Sequence, residues 1–408
     1  MLNGNARLPF IEIGRVQVRK RIVMFGALVL TGFLICACGG GGTSTAGGGG
    51  TNPAPTPQSA AAPTITTADA QNGALVVTLA DATSGAKIYY TLDGSTPSTT
   101  SQQYQAPFLV SSNLTVNAIA VASGFNNSSV TTNSFTLNIA SGTLVWSDEF
   151  ANSGSANILP DAKIWTYDTG YRCCGNNELE TYCAAGSATA PCDPNSPNAY
   201  IDAAGILHVV GRNPSGTTYT SARLKSQGVF SFMYGRIEAR MKLPESQGMW
   251  PAFWLLGNNI TTLSWPACGE LDVMEHIDGN NPPLYAGGQP LGYDWIAGSV
   301  HGGSSSKEEN GHSGGSYTAS GFSAADWHVY GMIWSKGKVQ YYVDDPSNVY
   351  VTYNSTDSEW SPVAWPFDQG PQFMILNLAI GGDWPGNPDA STVFPGDMQV
   401  DYVRIYTN

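Results

Sequence analysis

Three acidic residues, Glu270, Asp272 and Glu275, are spaced so that one strand could bring them together. In a β-strand the side chains at positions i and i+2 share a face, so Glu270 and Asp272 point the same way. Glu275 lies three residues beyond Asp272 and would face away in a regular strand. One extra residue in a β-bulge at Val273–Met274 restores the phase. The spacing therefore predicts three carboxyl groups on one sheet face.

Such a group of acids destabilises a sheet, because like charges on one face repel each other. The grouping is explained if it serves the cleavage of a glycosidic bond, which needs one carboxylate as nucleophile and another carboxyl group as proton donor. Neighbouring negative charge raises the pKa of one of them and keeps it protonated near neutral pH. Asp272, between the two glutamates, could orient the nucleophile. The alternative is a solvent-facing strand with scattered acids.

The elements around these acids are predicted to be strands. Residues 236–243, 338–344 and 399–406 alternate between apolar and polar side chains, and Gly and Pro separate such segments throughout 142–408. Two stacked sheets bury alternating faces without helices, which favours a jelly roll. The predicted fold class is all-β: a concanavalin A-like β-jelly-roll sandwich preceded by a small β-sandwich module.

The segments on either side of the acids carry a family resemblance. GMWPAFW at 248–254 and WPACGELDVME at 265–275 resemble the core of glycoside hydrolase family 16, and within it the bacterial laminarinases, which are endo-β-1,3-glucanases. Further segments that resemble this family follow in order along 142–408: VWSDEF (145–150), GNNEL (175–179), YTSARL (219–224), YGRIEAR (234–240), SVHG (299–302), LNLAIGGDWP (376–385) and DYVRIY (401–406).

The resemblance implies a retaining mechanism in a jelly-roll cleft, without a catalytic cofactor. It implies Glu270 as the nucleophile, Asp272 as its assistant and Glu275 as the acid/base.

The resemblance also implies that tryptophans line the sugar sites, and sugar rings do pack on flat aromatic side chains. For each tryptophan the alternative is packing in the core. A histidine near the acids could bond a sugar hydroxyl or be structural. The expected substrate-binding residues are Trp250, Trp265, Trp384, His301, Asn177 and Arg223.

Many members of the family bind a structural calcium ion on the convex face. Glu149 and Asp401 stand in the matching motifs, and their oxygen ligands suit calcium. The alternative is a pair of surface acids.

Cysteines cluster at positions 173, 174, 183 and 192. In an oxidising compartment the cluster of Cys173, Cys174, Cys183 and Cys192 predicts one or two disulfides that staple a loop, with the pairing left open. A metal site is the alternative, but no histidine lies within the cluster. Cys268 is the expected unpaired cysteine. The laminarinases usually have a Trp-Gly pair where this chain has Cys173-Cys174, so this border of the cleft should differ in shape.

The N-terminus has the pattern of an export signal. Basic residues at 15–21 precede an apolar stretch at 22–37, which is shorter than the roughly 20 residues of a membrane span. ICACG at 35–39 resembles a bacterial lipoprotein box with Cys38 as the lipidated residue. We expect a lipoprotein-type signal peptide at 1–38, a Gly/Pro/Ser/Thr linker at 39–62, and anchoring at the cell envelope or outer surface after secretion. The alternatives are an ordinary signal peptide and an uncut anchor.

Residues 63–139 are predicted to form an accessory β-sandwich, because short alternating strands at 75–79, 87–92 and 114–120 are separated by turns. AKIYYTLDGSTP at 86–97 resembles the module found at the C-terminus of chitobiases and β-hexosaminidases. That resemblance implies a spacer or an ancillary sugar-binding unit. The spacer is favoured, because nothing in the segment places an exposed aromatic platform. Residues 142–408 would be the catalytic domain.

The overall charge restricts the partners. The net charge is −13 and the first 37 residues are basic, so the remainder is more acidic still. Such a surface repels nucleic acid and favours a neutral polysaccharide. The predicted function is endo-cleavage of β-1,3-glucan by a monomer, with mixed β-1,3/1,4-glucan as a further substrate. The alternatives are an agar- or carrageenan-type galactan hydrolase, and a glucan-binding protein without turnover.

Overall fold

Strands make up nearly all the regular structure of this protein. The computed structural model describes residues 58–277, 295–303, 311–360 and 364–408, and the fold and the site are those of these residues. The predictions for the signal peptide, for Cys38 and for most of the linker fall outside these residues. No helix in the described ranges is long and apolar enough to cross a membrane.

The N-terminal module contains seven short strands. A single 3₁₀ turn, Gln71–Gly73, joins the first two. The strands are β1 (Thr64–Asp69), β2 (Leu75–Ala80), β3 (Lys87–Thr91), β4 (Gln102–Gln103), β5 (Phe108–Val110), β6 (Leu114–Val121) and β7 (Thr131–Phe135).

The larger domain follows with strands β8 to β26. They are β8 (Leu144–Asp148), β9 (Thr166–Asp168), β10 (Gly170–Tyr171), β11 (Glu180–Tyr182), β12 (Ala199–Ile201), β13 (Leu207–Gly211), β14 (Tyr219–Ser221), β15 (Arg223–Lys225), β16 (Ser231–Phe232), β17 (Gly235–Lys242), β18 (Met249–Gly257), β19 (Glu270–Glu275), β20 (Trp295–Gly302), β21 (Gly311–Thr318), β22 (His328–Ser335), β23 (Lys338–Val343), β24 (Val349–Asn354), β25 (Gln372–Ile380) and β26 (Gly396–Tyr406). The helical pieces are α1 (Ile260–Leu263) and the 3₁₀ turns Ser358–Trp360 and Pro366–Asp368.

Two large sheets stack in this domain, as the alternating pattern predicts. Sheet I has the order β1-β2-β5-β16-β25-β18-β19-β20-β21, with β15 on β25 and β9 on β15. Sheet II has the order β12-β13-β26-β17-β22-β23-β24, with β8 on β26. Apolar side chains such as Phe253, Leu376 and Met332 pack between the sheets and form the main core. The all-β class and the jelly-roll architecture are confirmed.

Hydrogen bonds cross the predicted boundary at residues 139–142. Strand β5 of the module pairs in parallel with β16, opposing Phe108 to Ser231 and Leu109 to Phe232. The Ser231 amide donates to the Pro107 carbonyl at 3.0 Å, and Asn72 Nδ2 donates to the Leu144 carbonyl at 2.8 Å. The module is therefore continuous with sheet I.

The cysteine cluster forms two disulfides, which agrees with the one or two that were predicted. Cys173 bonds Cys174, its neighbour in sequence, and Cys183 bonds Cys192. Cys268 is free and buried, as expected.

Candidate active site

A bulge in β19 places the three acids on one face of sheet I. Opposite β19, Phe253 pairs with Met274 and Trp254 pairs with Asp272, so Val273 has no partner across the strand. The register with β20 shifts in the same interval. The predicted bulge is confirmed, and it returns Glu275 to the face that carries Asp272.

Neutral donors and one histidine contact these carboxyl groups. Trp250 Nε1 donates to Glu275 Oε1 at 3.1 Å, and Ser299 Oγ donates to Glu275 Oε2 at 3.3 Å. His301 Nε2 lies 3.0 Å from Asp272 Oδ2 and 3.9 Å from Glu270 Oε1. The acids thus form one electrostatic group, with His301 at the Glu270 end and Trp250 at the Glu275 end.

Burial and mutual repulsion perturb the two glutamates. Burial, and then the charge of Asp272, raise the pKa of Glu275 to about 8. The same two causes raise the pKa of Glu270, whereas His301 and Arg223 act in the opposite direction. Because three adjacent acids cannot all ionise readily, the group retains a proton at neutral pH. Glu275 can hold that proton, and positive charge from Arg223 favours the carboxylate form of Glu270.

Three tryptophan rings flank the acids. Trp250 and Trp384 meet edge to face, with their ring centroids 5.2 Å apart, beside Glu275. Trp265 is 41% exposed at the other end, with its ring centroid 6.4 Å from that of His301. The structure therefore brings all three predicted tryptophans to the site, with a large exposed apolar surface at Trp265.

Arg223 belongs to the same face of the sheet. The strand registers align Arg223 with Asn377, Asn377 with Ala252, and Ala252 with Glu275. Directly paired residues share a face, so these four form one row across β15, β25, β18 and β19. The guanidinium of Arg223 lies over the Trp254 ring, 4.6 Å from its centroid. Arg223 is a lining residue of the cleft.

Asn177 lies in a loop at the edge of the cleft. Its Nδ2 donates to both carboxylate oxygens of Asp383, at 3.0 and 2.9 Å. Asp383 precedes Trp384, so this contact ties the loop after β10 to the loop that carries the tryptophan. Asn177 therefore orients the Trp384 loop through Asp383, the residue next to the tryptophan.

Comparison with known proteins decides what kind of site this is. The profile of glycosyl hydrolases family 16 matches residues 200–404, half of the chain, and includes all three acids. The chain belongs to glycosyl hydrolase family 16. A second profile, Fn3 associated, matches residues 77–135 in the N-terminal module.

Relatives of this family 16 domain include enzymes with solved structures. The β-glucanase of Rhodothermus marinus is 38% identical over 274 residues, which cover 64% of this chain and 84% of that protein. The laminarinase catalytic domain of Thermotoga maritima MSB8 is 32% identical with a TM-score of 0.53, covering 66% of this chain and 99% of that one. The endo-β-1,3-glucanase of Pyrococcus furiosus is 37% identical with a TM-score of 0.52, covering 65% and 94%.

The family 16 domain also contains site residues that our sequence analysis missed. Trp254 donates to Asn377 Oδ1 at 2.7 Å, and Asn377 Nδ2 donates to the Tyr182 hydroxyl at 3.2 Å. Tyr182 donates in turn to Glu178 Oε2 at 3.1 Å. Alternation along β18 could have assigned Trp254 to the face of Trp250. Asn377 and Tyr182 have no such signal, because their role depends on pairing between distant strands.

The calcium prediction concerns two acids of the family 16 domain with separate arginine partners. Glu149 accepts two hydrogen bonds from Arg404, at 2.9 and 2.8 Å. Asp401 accepts one from Arg240 at 2.7 Å. These contacts favour ion pairs over a shared calcium site as the acids are placed here, and a calcium ion at Glu149 and Asp401 stays a prediction.

One group of side chains in the described ranges could hold a metal ion. The ligand atoms of Glu270, Asp272 and His301 all lie within 4.8 Å of one another. This group coincides with the predicted catalytic acids. A histidine nitrogen with two carboxylate oxygens is a donor set that suits zinc.

Proposed function

We propose that this protein is an endo-acting, retaining hydrolase of β-1,3-glucan that works by double displacement. The observation that carries the proposal is the bulge at Val273, which places Glu270 and Glu275 on one face between tryptophan rings. The relatives named as β-glucanase, laminarinase and endo-β-1,3-glucanase support the choice of substrate. Mixed β-1,3/1,4-glucan is a second substrate in this proposal.

In the first step Glu275 donates its proton to the glycosidic oxygen while a Glu270 oxygen attacks the anomeric carbon. The bond to the leaving sugar breaks and a glycosyl-enzyme ester forms. The raised pKa of Glu275, about 8, supplies the protonated acid at neutral pH. Burial and the charge of Asp272 raise the pKa of Glu270 on balance, and His301 and Arg223 act against them, so Glu270 attacks as the carboxylate when the proton of the group is on Glu275.

In the second step the ionised Glu275 takes a proton from water, and the water oxygen attacks the anomeric carbon and releases Glu270. Asp272 is buried between the glutamates, with His301 Nε2 3.0 Å from its Oδ2, which suits a residue that orients the nucleophile. Trp250 acts as a positioning residue, because its indole N–H holds one oxygen of Glu275.

A test of this proposal compares the release of reducing ends from laminarin, mixed-linkage β-glucan and agarose. We expect the greatest release from laminarin. Glu270→Ala should abolish release and leave laminarin binding intact. Preference for agarose would support the galactan alternative. Binding without release by the unmodified chain would support the glucan-binding alternative, and full activity of Glu270→Ala would refute the assignment of the nucleophile.

We further propose that the chain acts as a monomer anchored at the bacterial envelope through Cys38. The basic and apolar segments before Cys38 support export, and ICACG at 35–39 supports lipidation. Metabolic labelling with a fatty acid tests this proposal: label should enter the protein and be lost in Cys38→Ala. We also propose that residues 63–139 form a β-sandwich module of the chitobiase type, which the resemblance of 86–97 to that module supports.

A further inference from the structure

The N-terminal module is held against the family 16 domain by several contacts. Besides the pairing of β5 with β16, Gln71 Nε2 donates to Ser147 Oγ at 3.0 Å. Gly370 is so close to the module that a Cβ atom there would lie 2.9 Å from Gln102 Cδ. A space between the module and the domain lies among these contacts.

That space is a cleft of about 1100 Å³, which we call the interdomain cleft. From the module it is lined by Tyr89 and Gln103, among others, and from the family 16 domain by Tyr234, Thr261 and Leu263. Tyr89 and Gln103 are directly paired between β3 and β4, so their side chains share a face. The volume slightly exceeds the roughly 300–1,000 Å³ of small-molecule sites, which leaves room for several sugar units.

The interdomain cleft adjoins the active site through one short segment. Helix α1 contributes Thr261 and Leu263 to its wall. Trp265, which lies beside His301 at the Glu270 end of the acids, is only two residues further along the chain. Two residues span at most about 7 Å, so the interdomain cleft begins close to the backbone of Trp265.

The lining combines aromatic surface with polar groups and balanced charge. Tyr89 and Tyr234 offer rings, while amide and hydroxyl groups such as those of Gln103 and Thr261 offer donors and acceptors. The charged lining residues are two lysines, Lys87 and Lys336, and two aspartates, Asp93 and Asp368. This balance suits a neutral polysaccharide, because a sulfated one would be bound by an excess of positive charge.

We propose that the interdomain cleft binds the part of a β-glucan chain that extends beyond the active site on the Glu270 side. The module is then a wall of the substrate-binding groove, a role that neither a spacer nor a separately folded binding unit would have. This inference rests on the proposed function.

The test measures kcat and KM of the full-length chain on polymeric laminarin and on a β-1,3-linked tetrasaccharide. Tyr89→Ala should raise KM for laminarin by about threefold to tenfold, which is the effect of losing one ring contact. Its kcat on laminarin and both constants on the tetrasaccharide should not change. Thr261→Trp, which fills the cleft from the opposite wall, should raise KM for laminarin as well.

The matched control is Phe125→Ala. Phe125 is an aromatic residue of the module that is 40% exposed and does not line the interdomain cleft, so its removal should change neither constant. Equal changes on both substrates, or no change with either cleft variant, would overturn the inference. If the unmodified chain releases no sugar from any β-glucan, the proposed function fails and the inference fails with it. An active chain whose cleft variants match the control leaves the proposed function intact and removes only the inference.

Discussion

Two groups of carboxyl side chains in the family 16 domain differ in what surrounds them. Glu270, Asp272 and Glu275 lie between tryptophan rings on the open face of sheet I. Glu178 and Glu180 are buried beside β25, with 4% and 0% of their surface exposed. In both groups burial and neighbouring acids raise pKa values, to about 8 for Glu275 and about 9 for Glu180.

The hydrogen bonds of Glu178 and Glu180 explain why this buried group cannot act on a substrate, whereas the open group of Glu270, Asp272 and Glu275 can. Glu180 Oε2 accepts a hydrogen bond from the Ile380 amide at 2.8 Å, and Glu178 is bound by Tyr182. These bonds fix the segment after the Cys173–Cys174 disulfide against β25. A raised pKa indicates an active site only where the group can reach a substrate.

The largest expected effect comes from removing an open acid. Glu275→Ala should lower kcat on laminarin by about 10²- to 10⁴-fold, because the proton donor is lost. Its melting temperature should equal or exceed that of the unmodified chain, since the raised pKa of Glu275 costs folding free energy at neutral pH. Steady-state kinetics and calorimetry measure the two quantities. More than a tenth of the original kcat would contradict the role of Glu275.

The buried group should show the opposite pattern. Glu180→Ala leaves the Ile380 amide without its partner and should lower the free energy of unfolding by about 1–3 kcal/mol. Glu180→Gln should be much less destabilising, because Glu180 is protonated at neutral pH and the amide is of similar shape. Urea unfolding provides both values, and kcat of Glu180→Gln should stay near that of the unmodified chain.

The buried pair of Glu178 and Glu180 also predicts that the stability of the protein depends on pH. The pKa of Glu180 is about 9 in the folded protein and about 4.3 in an unfolded chain. The folded state therefore binds more protons between these values, and the free energy of unfolding falls as pH rises through that interval. Glu180→Gln should flatten the fall, and an unchanged pH profile would argue against the buried proton.

The open and the buried group of acids should also differ in their response to a divalent metal ion, with a smaller effect on activity. Zn²⁺ should lower kcat/KM on laminarin by about threefold to tenfold, because Glu270, Asp272 and His301 form a suitable donor set. A chelator should reverse the loss. Calorimetric titration should show binding that disappears in His301→Gln and persists in Glu180→Gln. Binding unaffected by His301→Gln would place the metal elsewhere.

The smallest effect is expected at a second histidine between two carboxylates, outside the cleft. His208 Nδ1 lies 2.9 Å from Asp397 Oδ2, and its Nε2 lies 3.3 Å from Asp202 Oδ2. Burial lowers the pKa of His208, but Asp397 and Asp202 outweigh it, so the pKa is raised overall. The resulting stability is complete below the unfolded pKa of about 6.5 and is lost as pH rises through the folded pKa.

His208→Gln should therefore lower the free energy of unfolding by about 1 kcal/mol at pH 6 and by less at pH 9, without a change in kcat. Urea unfolding at the two pH values measures this difference. A loss of activity would show that the contrast between the two histidine sites is wrong.

Local patterns predicted the part of the site that lies on one strand. The spacing of Glu270, Asp272 and Glu275 required a bulge at Val273–Met274, and the registers contain it. The row from Arg223 to Glu275 could not be derived in this way, because it depends on which strands β15 and β25 pair with. The burial of Glu178 and Glu180 was missed for a related reason: it depends on packing against β25, which is distant in sequence.

The contact between the N-terminal module and the family 16 domain also could not be predicted from the sequence. The pairing of β5 with β16 uses backbone groups of two residues on each strand, and backbone groups have no side-chain signature. The disulfide pairing stayed open because four cysteines allow three connectivities. Interactions within a segment were predictable, and those between distant segments required coordinates.

The pairing of β5 with β16 has a practical consequence for recombinant work. Truncation near residue 140 is the obvious way to isolate the family 16 domain. It would remove β5 from beside Ser231 and Phe232 and expose an apolar edge of sheet I. Bare edges promote self-association. The minimal soluble unit for expression should therefore begin ahead of Thr64 rather than at Leu144.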